Sequence, residues 1–260
     1  MEHNKGKEGL LQRLEEISQS ARKTGKVRAL LGFGSVAEVE RMDAYSDLDF
    51  IVVAKKGYKW VLIENITWLT MVAPVGYYYR FAPDGYKLFF TDGIFCDFGI
   101  LEEEEVKQMS HGGGRVIWSE EDFDPDICRP TYQGNFGKID INRAVGEGLT
   151  NLYVGLCRFA RGEKLAAARC IQNVALNHVL ACSHLIYKEN NYYQDVFQNE
   201  RRFEKRFPRL ARSLPQMIQG YEKSPESALA ILEFMETFFE INPYMKALIT
   251  NLVHELIRNR

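Results

Sequence analysis

The chain has 260 residues, 46% of them apolar and 26% charged, ordinary globular figures that exclude an extended disordered or fibrous architecture and leave ample length for a buried core. With 33 Lys+Arg against 35 Asp+Glu the net charge is -2, so no whole-protein attraction for nucleic acid or an anionic membrane is expected. Five cysteines at 96, 128, 157, 170 and 182 form no CxxC pair, and an odd count suits a reducing compartment, so cytoplasm is expected. The first residues lack the apolar core of a signal peptide, and no stretch approaches the roughly 20 apolar residues that span a bilayer.

In chain order, Leu10, Leu11, Leu14, Ile17 and Ala21 recur at helical spacing and predict an amphipathic helix over 8–23. Short apolar, β-branched and aromatic runs follow: VRALLGFG (27–34), DLDFIVVA (47–54), VGYYYRFAP (75–83), YKLFFTD (86–92), IFCDFGIL (94–101) and RVIWSE (115–120). They predict a mixed sheet, with a helix at 60–73 and hairpin turns at Pro83-Asp84-Gly85 and Asp92-Gly93. The Pro, Gly and Asp of 122–137 read as a linker. Beyond it, helical patterns at 139–160, 163–188, 197–219 (broken at Pro208) and 226–258 (interrupted at Pro243) replace the strands. The expected fold class is therefore α+β: an α/β domain with a mixed sheet over 1–130, followed by an all-α helical-bundle domain over 131–260. Ligand pockets favour the groove between such halves.

The chemistry concentrates in GFGSVAEVERMDAYSDLDFIVV (32–53). If 47–52 is a strand, Asp47 and Asp49 share one face with Cα atoms roughly 6.5 to 7 Å apart, and Leu48 points to the other. Two carboxylates so close repel unless a cation joins them, and a hard divalent ion such as Mg²⁺ takes oxygen ligands together with substrate phosphates. Gly34 and Ser35 end the preceding strand, where a glycine lets the backbone approach an anion and a hydroxyl with amide groups can hold a phosphate. Against this stands a plainer reading, in which Asp47 caps a turn and Asp49 sits at a sheet edge. A third acid, Asp97, stands between Cys96 and Phe98 in an apolar run, costly there without a cation or donor unless the strand is an edge facing solvent.

A strand ending Gly-Ser, about a dozen residues, then Ser-Asp-hydrophobic-Asp opening another strand, with a third acid on a later strand, resembles the signature of the nucleotidyltransferase superfamily that includes DNA polymerase β and the antibiotic nucleotidyltransferases. The segments WLTMVAPVGYYYRFAPDGYKLFFTDGIF (68–95) and NLYVGLCRFARGEKLAAARCIQNVALNHVL (151–180) further resemble the two-domain lincosamide nucleotidyltransferases, related to the enzymes that modify aminoglycosides. The resemblance implies Asp47, Asp49 and Asp97 as catalytic and metal-ligating acids and Gly34 and Ser35 as the phosphate-binding pair. Relatives often carry a cation three positions after the serine. Here that position is Glu38, so either Arg41 substitutes or the contact comes from the second domain, where Arg158, Arg161 and Lys164 are candidates.

The implied reaction is in-line attack of an acceptor hydroxyl on the α-phosphorus of ATP or another nucleoside triphosphate, with pyrophosphate leaving. Two Mg²⁺ ions about 3.5 to 4 Å apart would stabilise the entering and leaving oxygens. Asp97 or Glu147 would serve as the base. The acceptor would be a small molecule such as a lincosamide or aminoglycoside; the few acids over 139–190 favour a less charged one. A protein or housekeeping acceptor, and a non-catalytic nucleotide-binding module, are the alternatives. Relatives of this type are often homodimers, so a homodimer is implied, with no nucleic-acid or membrane partner. Elsewhere the glutamates 102–105 read as a solvated helix start. His178 and Cys182 share a helix face without a second ligand pair, and HGGGR (111–115), lacking the Lys-Ser/Thr of a phosphate loop, reads as a hairpin or lid.

Overall fold

A computed structural model describes residues 6–132 and 139–259. The chain divides into two compact units, parted in sequence between residues 133 and 134.

The first unit opens with helix α1 (Lys7–Lys23), whose Leu10, Leu14, Ile17 and Ala21 are buried on one stripe. Glu8 in its first turn and Arg22 and Lys23 in its last complement the helix dipole. Strand β1 (Val27–Gly32) leads to a single helical turn, α2 (Gly34–Ala37), and a loop that returns as β2 (Leu48–Ala54). The one helix expected at 60–73 is two short ones, α3 (Lys59–Glu64) and α4 (Thr67–Thr70). Asn65 ends the first because its side-chain oxygen accepts from the Thr67 amide and hydroxyl, a local bond that replaces the helical ladder. Then come β3 (Val75–Ala82), β4 (Gly85–Phe90), β5 (Phe95–Glu102), α5 (Glu103–Gln108) and β6 (Arg115–Ser119). The glutamates open α5 as read from the sequence, with Glu102 and Glu105 forming a reciprocal capping box.

The six strands form one mixed sheet in the order β3-β4-β5-β2-β1-β6, in which β2 and β5 run parallel and the other neighbours antiparallel. Each face carries its own core. On one, α1, α3 and α4 pack against Leu30, Leu48, Phe50, Val52, Leu88, Cys96, Phe98 and Ile100. On the other, Val106 of α5 joins Ala29, Leu31, Ile51, Val53, Phe123, Ile127 and Cys128. Strand alternation assigns Leu48 to the first face and Asp49 to the second. Leu48 is fully buried, so a one-residue slip of β2 would expose it and drive Asp49 into the core.

The stretch expected as a linker is structured as far as it is described. Pro125–Cys128 form a 3-10 turn, Ile127 and Cys128 are buried, and the amides of Thr131 and Tyr132 donate to the His111 carbonyl. Residues 133–138 of that stretch lie outside the described residues.

In the second unit the described residues form helices and the loops that join them, without a strand. Helix α6 (Ile141–Ala160) buries Ala144, Gly148, Leu149, Leu152, Gly155, Leu156 and Phe159 along one stripe. The helix expected over 163–188 is a relay: α7 (Lys164–Arg169), a wider π-helical segment (Cys170–Ala175), α8 (Leu176–Ala181) and α9 (Ser183–Ile186). The widened turn carries Ile171 against Gly155, where an added Cβ would come within 2.5 Å of Ile171 Cγ1. The helix expected over 197–219 is instead three isolated turns, α10 (Phe203–Arg206), α11 (Pro208–Ala211) and α12 (Leu214–Met217). Pro208 and Pro215 lack the amides to continue a ladder, and Arg202 stands at φ 60 with its guanidinium on the Tyr193 carbonyl and Asp195. The final pattern divides at Pro243 as expected, into α13 (Ser224–Phe238) and α14 (Pro243–Arg258), Asn242 capping the latter. The expected class, a mixed-sheet α/β half followed by a helical half, is the one observed. Among the described residues no helix is long and apolar enough to cross a membrane.

Candidate functional site

The acids meet through strand pairing. Because β2 and β5 are parallel neighbours, Asp49 is the register partner of Asp97, and their side chains leave the sheet on the same face. Asp47 precedes β2 by one residue and is half-buried. The loop before it is fixed locally: Asp43 accepts from the Tyr45 amide at 2.8 Å, and the Ser46 hydroxyl accepts from the Asp43 amide at 3.0 Å. The buried Ser35 hydroxyl donates to the Asp47 carbonyl at 3.3 Å, and the Phe33 amide donates to the Asp49 carbonyl at 2.9 Å. These two bonds lock the Gly34-Ser35 turn against the start of β2.

Gly34 has φ +54, and a Cβ added there would lie 2.5 Å from Asp49 Oδ2. Glycine is required twice over, by the left-handed backbone and by the carboxylate beside it. Arg41 reaches the same place, its Nη2 3.8 Å from that hypothetical Cβ, with its guanidinium paired to Glu38. Thus Glu38 holds the cation that stands next to Asp49.

Lys87, which the sequence reading passed over, completes the row. It is the register partner of Asp97 across β4 and β5, and its ammonium lies 3.1 Å from Asp97 Oδ2. The hydrogen bond to Asp97, then the charges of Asp97, Tyr79 and Asp49, hold the Lys87 pKa above its ordinary value. The Cys96 thiol behind the acids is pushed up by burial, against Arg13 and with Asp47 and Asp49. A signal for Lys87 was present: it is a lone charge in an aromatic strand, in register alternation with the buried Tyr86 and Leu88.

The donor chemistry suits a hard divalent cation: two carboxylates on adjacent strands and a third, one residue before the first of these strands, beside a glycine turn. As placed, Asp97 is engaged by Lys87, and among the described residues no three His, Cys, Asp or Glu side chains converge as a metal cluster. Adjacent strands about 4.8 Å apart put Asp49 and Asp97 within rotamer reach of one ion once Asp97 leaves Lys87.

The loop read as a lid is instead packed support. His111 is buried, its ring edge-on to Phe33 at 5.2 Å, and Gly113 adopts φ +116 against Pro130. Arg115 donates to the Val36 carbonyl at 3.1 Å. Burial lowers the His111 pKa, opposed by a backbone hydrogen bond at Ile127.

The remaining predicted residues belong to the helical unit. Lys164 bonds Glu222 at 2.6 Å and, with Arg158, Arg169 and Tyr221, lines an open pocket of about 520 Å³ within that unit. Arg161 instead pairs with Glu163 at 3.0 Å. Glu147 is exposed on α6.

No family model matches the chain, and neither does any curated protein. Among solved structures it is similar to an aminoglycoside 6-adenyltransferase from Bacillus subtilis, at 13% identity over 95% of this chain and 98% of that one, TM-score 0.37. A nucleotidyltransferase-like protein from Exiguobacterium sibiricum matches at 12% identity over 96% and 80%, TM-score 0.34. The Thermotoga maritima CCA-adding enzyme, solved with tRNA, matches at 12% over 99% and 82%, TM-score 0.36. Likeness this remote carries no functional argument, which rests on the residues of the site.

Proposed function

We propose that the first unit is a Mg²⁺-dependent nucleotidyltransferase that moves a nucleoside monophosphate, AMP from ATP in the first instance, onto a hydroxyl of a small molecule. The observation that carries this reading is the pairing of Asp49 with Asp97 on one sheet face, against a Gly34-Ser35 turn whose shape leaves room for the Asp49 carboxylate and little else. Asp47 and Asp49 are the metal ligands and Asp97 the third acid. When bound, the metal neutralises charge on the attacked phosphate and on the leaving pyrophosphate.

The chain's own residues then have distinct tasks. Gly34 and Ser35 present the turn to the triphosphate, and Arg41 offers the guanidinium that meets its charge. The acceptor oxygen attacks the α-phosphorus, the bond from that phosphorus to the bridging oxygen breaks, and pyrophosphate leaves with that oxygen. Asp97 takes the hydroxyl proton. Its pairing with Lys87 supports this choice over the exposed Glu147, because Lys87 holds the carboxylate oriented before the acceptor arrives. Lys164 is the helical unit's candidate phosphate contact, supported by the cluster of Arg158 and Arg169 around the same pocket.

Lincosamides and aminoglycosides are the acceptors to try first. Incubation of each with protein, Mg²⁺ and each nucleoside triphosphate, followed by mass spectrometry, tests the reading. It predicts a mass gain of one nucleoside monophosphate that Asp47→Ala removes. Adduct formation by that variant at the wild-type rate would reject it.

A further inference from the structure

The face that carries the acids continues outward as a shelf of aromatic rings. Strand register places Tyr79, Lys87, Asp97 and Asp49 in one row across β3, β4, β5 and β2. The neighbouring row toward the start of β5 is Tyr77, Phe89 and Phe95, and it runs toward Asp47, which precedes Leu48 as Phe95 precedes Cys96. Phe89 and Phe95 stack with ring centroids 4.4 Å apart, and Tyr77 and Tyr79 lie 5.9 Å apart. These rings are not core. Tyr77 is 58% exposed, Tyr79 43% and Phe89 41%, whereas Tyr86, Leu88 and Phe90, alternating with them on the opposite face, are buried.

An exposed aromatic surface of this kind is costly to leave in water, and contiguous patches mark binding sites. Its position names the occupant. The shelf adjoins Asp97, so a molecule lying on it brings one edge to the acid that accepts the hydroxyl proton. Asp97 lies two residues beyond Phe95 on β5, on the same face and roughly 6.5 to 7 Å further along the strand, so a six-membered ring resting on Phe89 and Phe95 presents its edge to Asp97. Charge narrows the class further. The charged side chains of these four strands on this face are Lys87 and the acids, and the acids are committed to metal and proton. A polycation resting here would meet Lys87 with no spare carboxylate to offset it. Ring faces carry negative charge density and favour the weakly positive C–H face of a saturated ring.

We propose that Tyr77, Tyr79, Phe89 and Phe95 form the acceptor platform, selecting an uncharged or weakly charged sugar-like ring that lies with its C–H face on the aromatics and its hydroxyl edge toward Asp97. This rests on the nucleotidyltransferase reading and deepens it: Lys87 and the shelf set acceptor choice, and the acids set chemistry.

Saturation-transfer NMR on the full chain with Mg²⁺ and ATP is the test, with lincomycin and methyl α-glucoside as neutral-ring probes and kanamycin as the polycation; calorimetry follows Mg²⁺-ATP binding in parallel. The platform predicts transfer to the ring C–H protons of a neutral-ring probe, reduced about tenfold in affinity by Phe89→Ala or Phe95→Ala, as for other aromatic anchors. Phe89→Trp restores it, and Tyr78→Ala, between Tyr77 and Tyr79 on β3 but on the opposite face with Leu88, changes nothing. A loss of Mg²⁺-ATP affinity equal to the loss of probe would mark a folding defect or a base-stacking role and overturn the platform. So would equal probe binding by wild type and Phe89→Ala, transfer confined to kanamycin, or no transfer to the sugar-ring protons of either neutral-ring probe. If wild type binds Mg²⁺-ATP while any of these occurs, the platform fails and the nucleotidyltransferase reading stands; if wild type binds no Mg²⁺-ATP, both fall.

Discussion

Replacing Gly34 with alanine separates catalytic geometry from folding. The backbone there has φ +54, which costs an L-residue about 1 to 2 kcal/mol. The new Cβ would stand 2.5 Å from Asp49 Oδ2 and 3.8 Å from Arg41 Nη2. Ordinary contact begins at 3.4 Å, so the carboxylate must retreat by about 1 Å, a displacement that can cost on the order of a hundredfold in rate. Gly25 supplies the control: φ +69, in the same unit, with nothing within 4 Å of an added Cβ. Urea denaturation is expected to register a loss of about 1 to 2 kcal/mol for both Gly34→Ala and Gly25→Ala. Pyrophosphate release should fall about a hundredfold in the first alone. Unchanged turnover in Gly34→Ala, or an equal loss of turnover in the two variants, would refute the claim that Gly34 exists to admit the Asp49 carboxylate.

Other outcomes follow from the same geometry. Lys87→Met removes the ammonium 3.1 Å from Asp97 and frees a carboxylate for metal, so half-maximal activity should need about tenfold less Mg²⁺, worth about 1.4 kcal/mol, in a Mg²⁺ titration of turnover. His111 is held neutral by burial, its folded pKa below that of the unfolded chain. Its contribution is therefore complete above the ordinary histidine value of about 6.5 and is lost as pH falls below it toward the folded pKa; His111→Gln should flatten that part of a pH series of denaturation midpoints. Lys164→Ala should leave stability within about 1 kcal/mol of wild type in urea denaturation, since its bond to Glu222 is an exposed pair.

The acids were legible because each stands alone against a strong local pattern. Asp49 interrupts an apolar strand, and Asp97 sits between the buried Cys96 and Phe98, so period-two alternation places both before any pairing is known. Their meeting required more: that β2 and β5 be parallel neighbours in matched register, a non-local fact no window of sequence contains. Lys87 was missed for that reason, since only the register across β4 and β5 turns an isolated lysine into the partner of Asp97. The short helices were misread where a side chain or proline outcompetes apolar periodicity, at Asn65 and between Pro208 and Pro215. The glycines of 111–115 suggested freedom, but a buried His111 and its contact with Phe33 make that loop part of the wall behind Gly34.

The most direct test of the whole account is Mg²⁺-dependent release of pyrophosphate from ATP in the presence of a hydroxyl acceptor, measured for wild type and Asp49→Ala. Asp49 is the acid that strand register, the Gly34 turn and the Phe33 amide all converge upon. The account predicts release by wild type that stops when Mg²⁺ is chelated, and none by a folded Asp49→Ala. Release at the wild-type rate by Asp49→Ala, or release indifferent to chelation, would contradict it.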